Sequence, residues 1–193
     1  MRLKATIIHE SMKLFSLNDF INTGINDTIE VVLTTKRSFN NHSSSKEKLF
    51  YSVLAEAHSI WCQKVLWGIN EFTGKVKQIL LTYRGQNLID SGDFPEGCIF
   101  IAFSVELDDQ RPHLMKEINK GLEGFKAWLK KVLEEGIEKG ELSNELGATS
   151  VGEFLFAGML GMSVLYGADN SKRTLDRSID SLPNYLDAHV ETI

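Results

Sequence analysis

The sequence predicts an all-α protein, and three observations support this class. Apolar residues recur at intervals of three and four along most of the chain, and only 3 prolines interrupt its 193 residues. No segment shows the alternation of polar and apolar residues that is typical of a half-buried strand. Apolar residues make up 42% of the chain and charged residues 24%, as in globular proteins that bury a core.

The first predicted helix lies near residues 4–17, where Ile8, Met12 and Phe15 recur at helical spacing. Phe20 follows the polar pair Asn18 and Asp19, and we expect its ring to fold back under this helix. The second helix is predicted near residues 25–32, with Thr23 as its N-cap.

A third, short helix is predicted to begin at Thr34 or Thr35 as the cap and to run through about Asn41. Phe39 is its only large apolar residue, so its remaining side chains are expected to face solvent. The segment SSSKEKLFYSVLAEAHSIWCQKVLWGI then predicts a long helix that opens with a serine cap and Glu47, close to a capping box.

Further helices are predicted at 72–89, 98–108, 113–139 and 151–167, with a last one from 172 toward Pro183. The segments SGDFPEG, DDQRP, GELSNELG and GADNSK separate them, which suits short connections in a helical bundle.

Two short helices joined by a tight turn, the second polar and basic, indicate a helix-turn-helix motif. Arg37 can pair with a guanine edge and Asn40 or Asn41 with an adenine, while Lys36, His42 and Lys46 suit phosphates. The competing interpretation is a polar helix that is merely solvated. Residues 1–50 carry seven basic and five acidic side chains against fourteen and twenty-one in residues 51–193, which fits a DNA-facing head on an acidic body.

This part of the chain resembles the TetR-like transcriptional regulators. The family's N-terminal pattern is followed without gaps by two segments, KLFSLNDF and TGINDTIEVVLTTKRSFNNHSSSKEKLF. The matching positions are Leu14, Phe15, Phe20, Thr23, Thr35, Lys36, Ser38, Phe39, His42, Ser45, Lys46, Glu47 and Leu49. The later segments GCIFIAFSVEL and GLEGFKAWLKKVLEEGIEKGEL are also similar to the family, so the resemblance covers nearly the whole chain.

The resemblance implies a helix-turn-helix DNA-binding domain over residues 1–48 and a ligand-binding and dimerisation domain over 49–193. It also implies a repressor that leaves a palindromic double-stranded operator when a small-molecule or electrophilic effector binds. The residues expected at DNA are Thr23, Thr34, Thr35, Lys36, Arg37, Ser38, Asn40, Asn41, His42 and Lys46.

Several positions depart from the family pattern. Leu33 stands where the family has a turn glycine, a site that tends to need a positive φ, and a bulky residue there costs about 1 kcal/mol or distorts the turn. Asn40 replaces a tyrosine that touches the DNA backbone, and Ser43 replaces a phenylalanine that packs under the head. These departures keep a second interpretation open, a dimer of the same fold with weakened or lost DNA binding that acts as a ligand-binding or redox-responsive interaction protein.

The family forms homodimers through its last two helices, and the segment VGEFLFAGMLGMSVLYG fits that role. Its apolar residues are Phe154, Leu155, Phe156, Met159, Leu160, Met162 and Leu165, and Gly158 and Gly161 permit close approach of a second helix. A single buried core helix is the alternative.

The effector site is expected among aromatic and polar residues of the body, and these residues equally fit a plain core. The candidates are His58, Trp61, Cys62, Phe103 and Trp128. Cys98 follows Gly97 at a predicted helix start, where the helix dipole favours a thiolate, so it is a candidate redox sensor. A small buried hydrophobe is the other interpretation of Cys98.

Other function classes find little support in the sequence. The five histidines are scattered, and HExxH, Walker A, GxGxxG and GxSxG patterns are absent, so we expect no enzyme, metal or cofactor. Charged residues interrupt the N-terminus, and no run approaches the roughly 18 apolar residues of a membrane span. The expected location is therefore the cytoplasm, where both cysteines stay reduced.

Overall fold

The computed structural model describes residues 3–65, 97–107, 111–169, 171, 173, 176–177, 181 and 184–186. All regular structure in these ranges is helical, which confirms the predicted all-α class. The helices are α1 (Leu3–Asn18), α2 (Ile25–Val31), α3 (Lys36–Asn40), α4 (Lys46–Val65), α5 (Ile99–Leu107), α6 (Pro112–Glu138) and α7 (Ala148–Asp169).

The described helix ends agree with the sequence predictions to within about three residues, the largest difference being the start of α7 at Ala148 instead of 151. The predicted end of α4, near residue 69, falls outside the described residues. The helix predicted over 72–89 and most of the one predicted from 172 fall outside the described residues.

The buried apolar side chains form two clusters. The first joins α1, α2, α3 and α4 to α5 and the beginning of α6, and the second lies between the remainder of α6 and α7. Trp61 and Leu122 pack against both. The predicted domain boundary after residue 48 falls within α4, and the first cluster continues across it through Leu49 and Phe50. That boundary stays a prediction.

Four phenylalanine rings form the centre of the first cluster. The ring of Phe20, which is fully buried, packs edge-on against Phe15 of α1 at 5.2 Å and Phe50 of α4 at 4.9 Å between centroids. Phe103 of α5 lies 4.8 Å from Phe50. Phe20 thus folds back under α1 as predicted, and its ring joins α1 to α4 and α5.

The turn that follows α1 is also held by polar contacts. The Glu106 carboxylate, near the end of α5, accepts hydrogen bonds from the backbone N–H groups of Phe20, at 2.9 Å, and Ile21. The Lys46 ammonium donates to the Ile21 carbonyl at 2.9 Å and lies 4.6 Å above the Phe20 ring. Arg111 lies 5.8 Å from the same ring. Hydrogen bonds to an ionised carboxylate are among the stronger ones, so this junction fixes the head on the body.

The turn between α2 and α3 has the hydrogen bonds of a Schellman motif. The Thr34 N–H donates to the Ile29 carbonyl at 3.1 Å, and the Leu33 N–H donates to the Glu30 carbonyl at 3.1 Å. Leu33 occupies the position of this motif that glycine usually fills, and its φ is +54°. The predicted left-handed conformation at Leu33 is therefore confirmed.

The two faces of α7 are both apolar. Leu155, Phe156, Met159 and Met162 are buried in the second cluster, so these four residues of the predicted dimer surface belong to the core of the single chain. Exposed apolar side chains remain on the other face, at Phe154, Val164 and Leu165. By length and composition alone, the segment Ala148–Ala168 is also apolar enough to cross a membrane, which departs from the sequence expectation; core helices of soluble proteins meet the same test.

Replacing Leu33 by glycine is expected to stabilise the protein by about 0.5–1 kcal/mol, because the left-handed conformation costs an L-residue about that much more than it costs glycine. Urea denaturation followed by circular dichroism measures the change. Val31→Gly is the matched control, since Val31 is a half-exposed aliphatic residue in ordinary helical conformation, and this change should destabilise by a few tenths of a kcal/mol. Equal destabilisation by the two variants would show that no strain resides at Leu33.

Candidate nucleic-acid interface

The outer face of α3 is open to solvent. Its exposed side chains are those of Lys36, Arg37 and Asn40, followed by Asn41 and His42 directly after the helix. Phe39, on the opposite face, is fully buried in the first cluster. One buried ring therefore anchors a short helix whose donors and acceptors all point outward, which is the arrangement that base reading requires.

The caps of the two short helices position this face. The Thr35 hydroxyl accepts a hydrogen bond from the Ser38 N–H at 3.2 Å, so Thr35 is the N-cap of α3. At α2 the N-cap is Gly24, whose N–H donates to the Asp27 carboxylate at 2.6 Å.

Thr23 was predicted both as the cap of α2 and as a DNA contact, and both assignments are corrected. Its side chain is buried, and the hydroxyl donates to the Asp19 carbonyl at 2.7 Å inside the turn after α1. Thr34 and Ser38 are half-buried beside the exposed face, so they border it and do not form its centre.

Lys46 also takes a different place from the predicted phosphate contact. Its ammonium is engaged with the Ile21 carbonyl and the Phe20 ring at the junction. Partial burial of the ammonium, and then the neighbouring charge of Arg111, lower the pKa of Lys46.

Glu47 does not complete a capping box at the start of α4, because its carboxylate contacts Arg111 at 3.3 Å and His113 at 3.2 Å. The cap of α4 is Ser45, whose hydroxyl accepts from the Lys48 N–H at 3.1 Å.

The departures from the family pattern leave the head intact. Ser43 is buried where a phenylalanine was expected, and its hydroxyl donates to the Ser45 carbonyl at 3.0 Å. In the described part of the chain, every buried side-chain nitrogen or oxygen has a partner. Asn40 is exposed and available to a ligand.

The predicted effector residues separate into two groups. Trp61 and Trp128, both half-buried, meet at Phe125, which lies 4.4 Å from Trp61 and is stacked on Trp128 at 5.5 Å. Phe103 is not part of this group, because it is fully buried among the rings of the first cluster, and its assignment to a ligand site is corrected to the core.

His58 and Cys62 lie one turn apart on α4, with the Cys62 Sγ 3.7 Å from the His58 Nδ1. His58 is exposed and Cys62 half-buried, and burial raises the pKa of the Cys62 thiol.

Cys98 lies at the start of α5, as predicted, but its environment does not favour a thiolate. Burial raises the pKa of the Cys98 thiol, and the backbone hydrogen bonds from Ile101 and Phe100 lower it by less. Its own N–H donates to the Ser163 hydroxyl of α7 at 2.8 Å. Gly97 before it has a φ of +92°, and a Cβ there would lie 3.0 Å from the Ser163 carbonyl oxygen, so this close approach requires glycine.

Glu106 and Arg111 were missed by sequence reasoning. The available signal was that Glu106 is the only charged residue in α5, in an otherwise apolar or small-residue helix, IFIAFSVEL. A lone carboxylate in such a helix indicates a specific partner. The identity of that partner, a turn 85 residues earlier, has no local signature.

Comparisons with known proteins agree with this architecture. Residues 81–182 match a family model described as the tetracyclin repressor-like C-terminal domain. The chain is 24% identical over 174 residues to the HTH-type transcriptional repressor DhaR of Mycobacterium sp. (strain GP1), an alignment that covers 89% of this chain and 85% of DhaR.

Solved structures share the fold. A TetR-family transcriptional regulator from Cytophaga hutchinsonii superposes with a TM-score of 0.86 at 18% identity, covering 100% of this chain and 96% of that chain. The reduced form of E. coli NemR superposes with a TM-score of 0.77 at 21% identity, covering 100% and 99%. The family match over more than half of the chain and the helix-turn-helix geometry lead to one conclusion: the chain belongs to the TetR family of transcriptional regulators.

Proposed function

We propose that this TetR-family regulator represses transcription by occupying a palindromic operator as a homodimer, and that an apolar or aromatic effector releases it. The observation that carries the proposal is the exposed polar face of α3 above the buried Phe39 anchor. Lys36 and Arg37 supply positive charge, and Asn40 and Asn41 supply amide groups that match adenine edges. A cytoplasmic location follows from this role.

The proposed dimer surface is the exposed face of α7 together with the last helical residues. Phe154 is 51% exposed, and its ring lies 4.7 Å from that of Tyr185, while Val164 and Leu165 are about half exposed farther along the helix. A Cβ added at Gly161 meets no atom within 4 Å, so the helix is open to a partner there. A second copy of the chain would remove this apolar surface from water and give the two heads a two-fold axis.

The effector is proposed to act near Trp61, Phe125 and Trp128. The two tryptophan rings are only partly covered, Phe125 between them is buried, and the group lies between α4, α6 and α7. An electrophile acting at Cys98 is a weaker candidate, because a raised pKa leaves little thiolate at neutral pH.

The signal is proposed to pass through α5, which is tied at both ends. At its start, the Cys98 N–H is bonded to Ser163 of the proposed dimer helix. At its end, Glu106 holds the turn that carries Phe20 and Ile21. A shift of this nine-residue helix therefore moves the head relative to the dimer surface, and with it the spacing of the two α3 helices.

DNA binding is tested with a duplex that the full-length protein selects from a randomised pool. Arg37→Ala should weaken binding to this duplex by about 1–3 kcal/mol and relax preference at one base pair, because a bidentate contact to a base edge is lost. Lys36→Ala should weaken all duplexes alike and lower the salt slope by about 1. Fluorescence anisotropy at several salt concentrations measures both.

Lys48→Ala is the control, since Lys48 is an exposed basic side chain on α4, outside the α3 face. Its removal should change the affinity for DNA little. Absence of binding by the unaltered protein at low salt would favour the alternative, a ligand-responsive dimer without an operator.

The role of α5 is tested with Glu106→Gln and Ser163→Ala. Each variant should reduce operator affinity by about 1 kcal/mol, because the head loses its fixed orientation, and the double variant should lose little more, because one released end already frees the helix. Ser104→Ala is the control, since that hydroxyl only donates to the Ile101 carbonyl within α5. If the losses of binding free energy in the two single variants add fully in the double variant, α5 does not link the head to α7 as one unit.

Alkylation tests the state of Cys98. In the Cys62→Ser variant, iodoacetamide should react with Cys98 more slowly at pH 7 than with free N-acetylcysteine, and the rate should keep rising at pH values where the free thiol has levelled off. Mass spectrometry of timed samples gives the rate at each pH. A rate at pH 7 above that of the free thiol would restore Cys98 as the candidate sensor.

A further inference from the structure

Leu33 carries two unfavourable features in the free protein. Its side chain is 93% exposed, the largest value among the exposed large apolar residues described, and its φ of +54° is strained for a branched L-residue. The Schellman hydrogen bonds at Thr34 and Leu33 fix this backbone conformation, in which the side chain points into solvent. Strain and exposure at one residue indicate a function that the free protein does not display.

The position of Leu33 places it beside the recognition face. It lies three residues before Lys36, so the two Cα atoms are at most about 11 Å apart. The major groove is about 12 Å wide, and in helix-turn-helix proteins the first residues of the second helix approach the base edges. A duplex seated on Lys36 and Arg37 therefore comes within reach of Leu33.

DNA offers apolar surface at this place. The thymine methyl group projects into the major groove, and deoxyribose carbons line its edge. The nearest exposed side chains on α2 are those of Glu30 and Val31. The Glu30 carboxylate repels phosphate, whereas the uncharged side chain of Leu33 is stabilised when carbon surface covers it.

We propose that Leu33 is an apolar DNA contact that adds to the polar face of α3, an inference that rests on the proposed operator binding. On binding, its exposed side chain is covered by thymine methyl or deoxyribose carbons. The contact releases no counterions, so it contributes to affinity without contributing to the salt slope.

The test compares full-length Leu33→Asn and Leu33→Met proteins on the selected duplex. Asparagine tolerates the left-handed conformation and keeps the turn but removes the apolar contact, so affinity should fall about tenfold with an unchanged salt slope. Methionine keeps an apolar side chain of similar volume, and affinity should stay within about twofold. Thermal denaturation of each variant checks that the fold is retained.

A duplex with uracil in place of every thymine distinguishes the two carbon sources. If the contact is a thymine methyl, this duplex should bind the Leu33 protein more weakly while Leu33→Asn discriminates less between the two duplexes; if the contact is deoxyribose, Leu33→Asn should weaken both duplexes equally. Unchanged affinity of Leu33→Asn, with Arg37→Ala still impaired, overturns the inference and leaves operator binding in place. Loss of binding by the unaltered protein removes the operator proposal itself.

Discussion

The arrangement of this protein depends on how the turn after α1 is held. Phe20 fills the centre of the first apolar cluster, and the backbone N–H groups of Phe20 and Ile21 end on one carboxylate, that of Glu106. Lys46 covers the other side of the ring and bonds the Ile21 carbonyl. Apolar packing and charge-assisted hydrogen bonds therefore join the same turn to the body, so the head cannot reorient without disrupting both.

This constraint explains how a five-residue helix can present a functional face. α3 is far too short to be stable alone, and it keeps its position through Phe39, the Thr35 cap and the turn at Leu33. Helix α1 in turn packs against the ring of Phe20. The exposed side chains of Lys36, Arg37 and Asn40 are thus oriented by buried contacts that they do not themselves make.

Much of the fold could be predicted because its signals are local. Apolar spacing marked both ends of α1, α2, α5 and α6 and the start of α4 to within about two residues, and the positive φ at Leu33 followed from the family resemblance. The exposed α3 face was also predictable, since one aromatic in a polar segment leaves little choice. Lys46, Glu47 and Glu106 were not predictable in the same way, because their partners lie 25, 64 and 85 residues away and no periodicity encodes such contacts. Phe103 was misassigned for the same reason, since the rings of Phe15, Phe20 and Phe50 that pack against it are distant in sequence. Thr23 differs, because its partner Asp19 lies only four residues away.

The most direct measurement of this junction is amide hydrogen exchange at Phe20 and Ile21, read by NMR. The Ile21 side chain is 44% exposed and its N–H has no helical partner, so protection there depends on Glu106. We expect slow exchange at both amides in the unaltered protein and loss of that protection in Glu106→Gln, while the Leu49 amide within α4 is unaffected. Fast exchange at Ile21 in the unaltered protein, or equal protection in Glu106→Gln, would contradict the role of Glu106 at this junction.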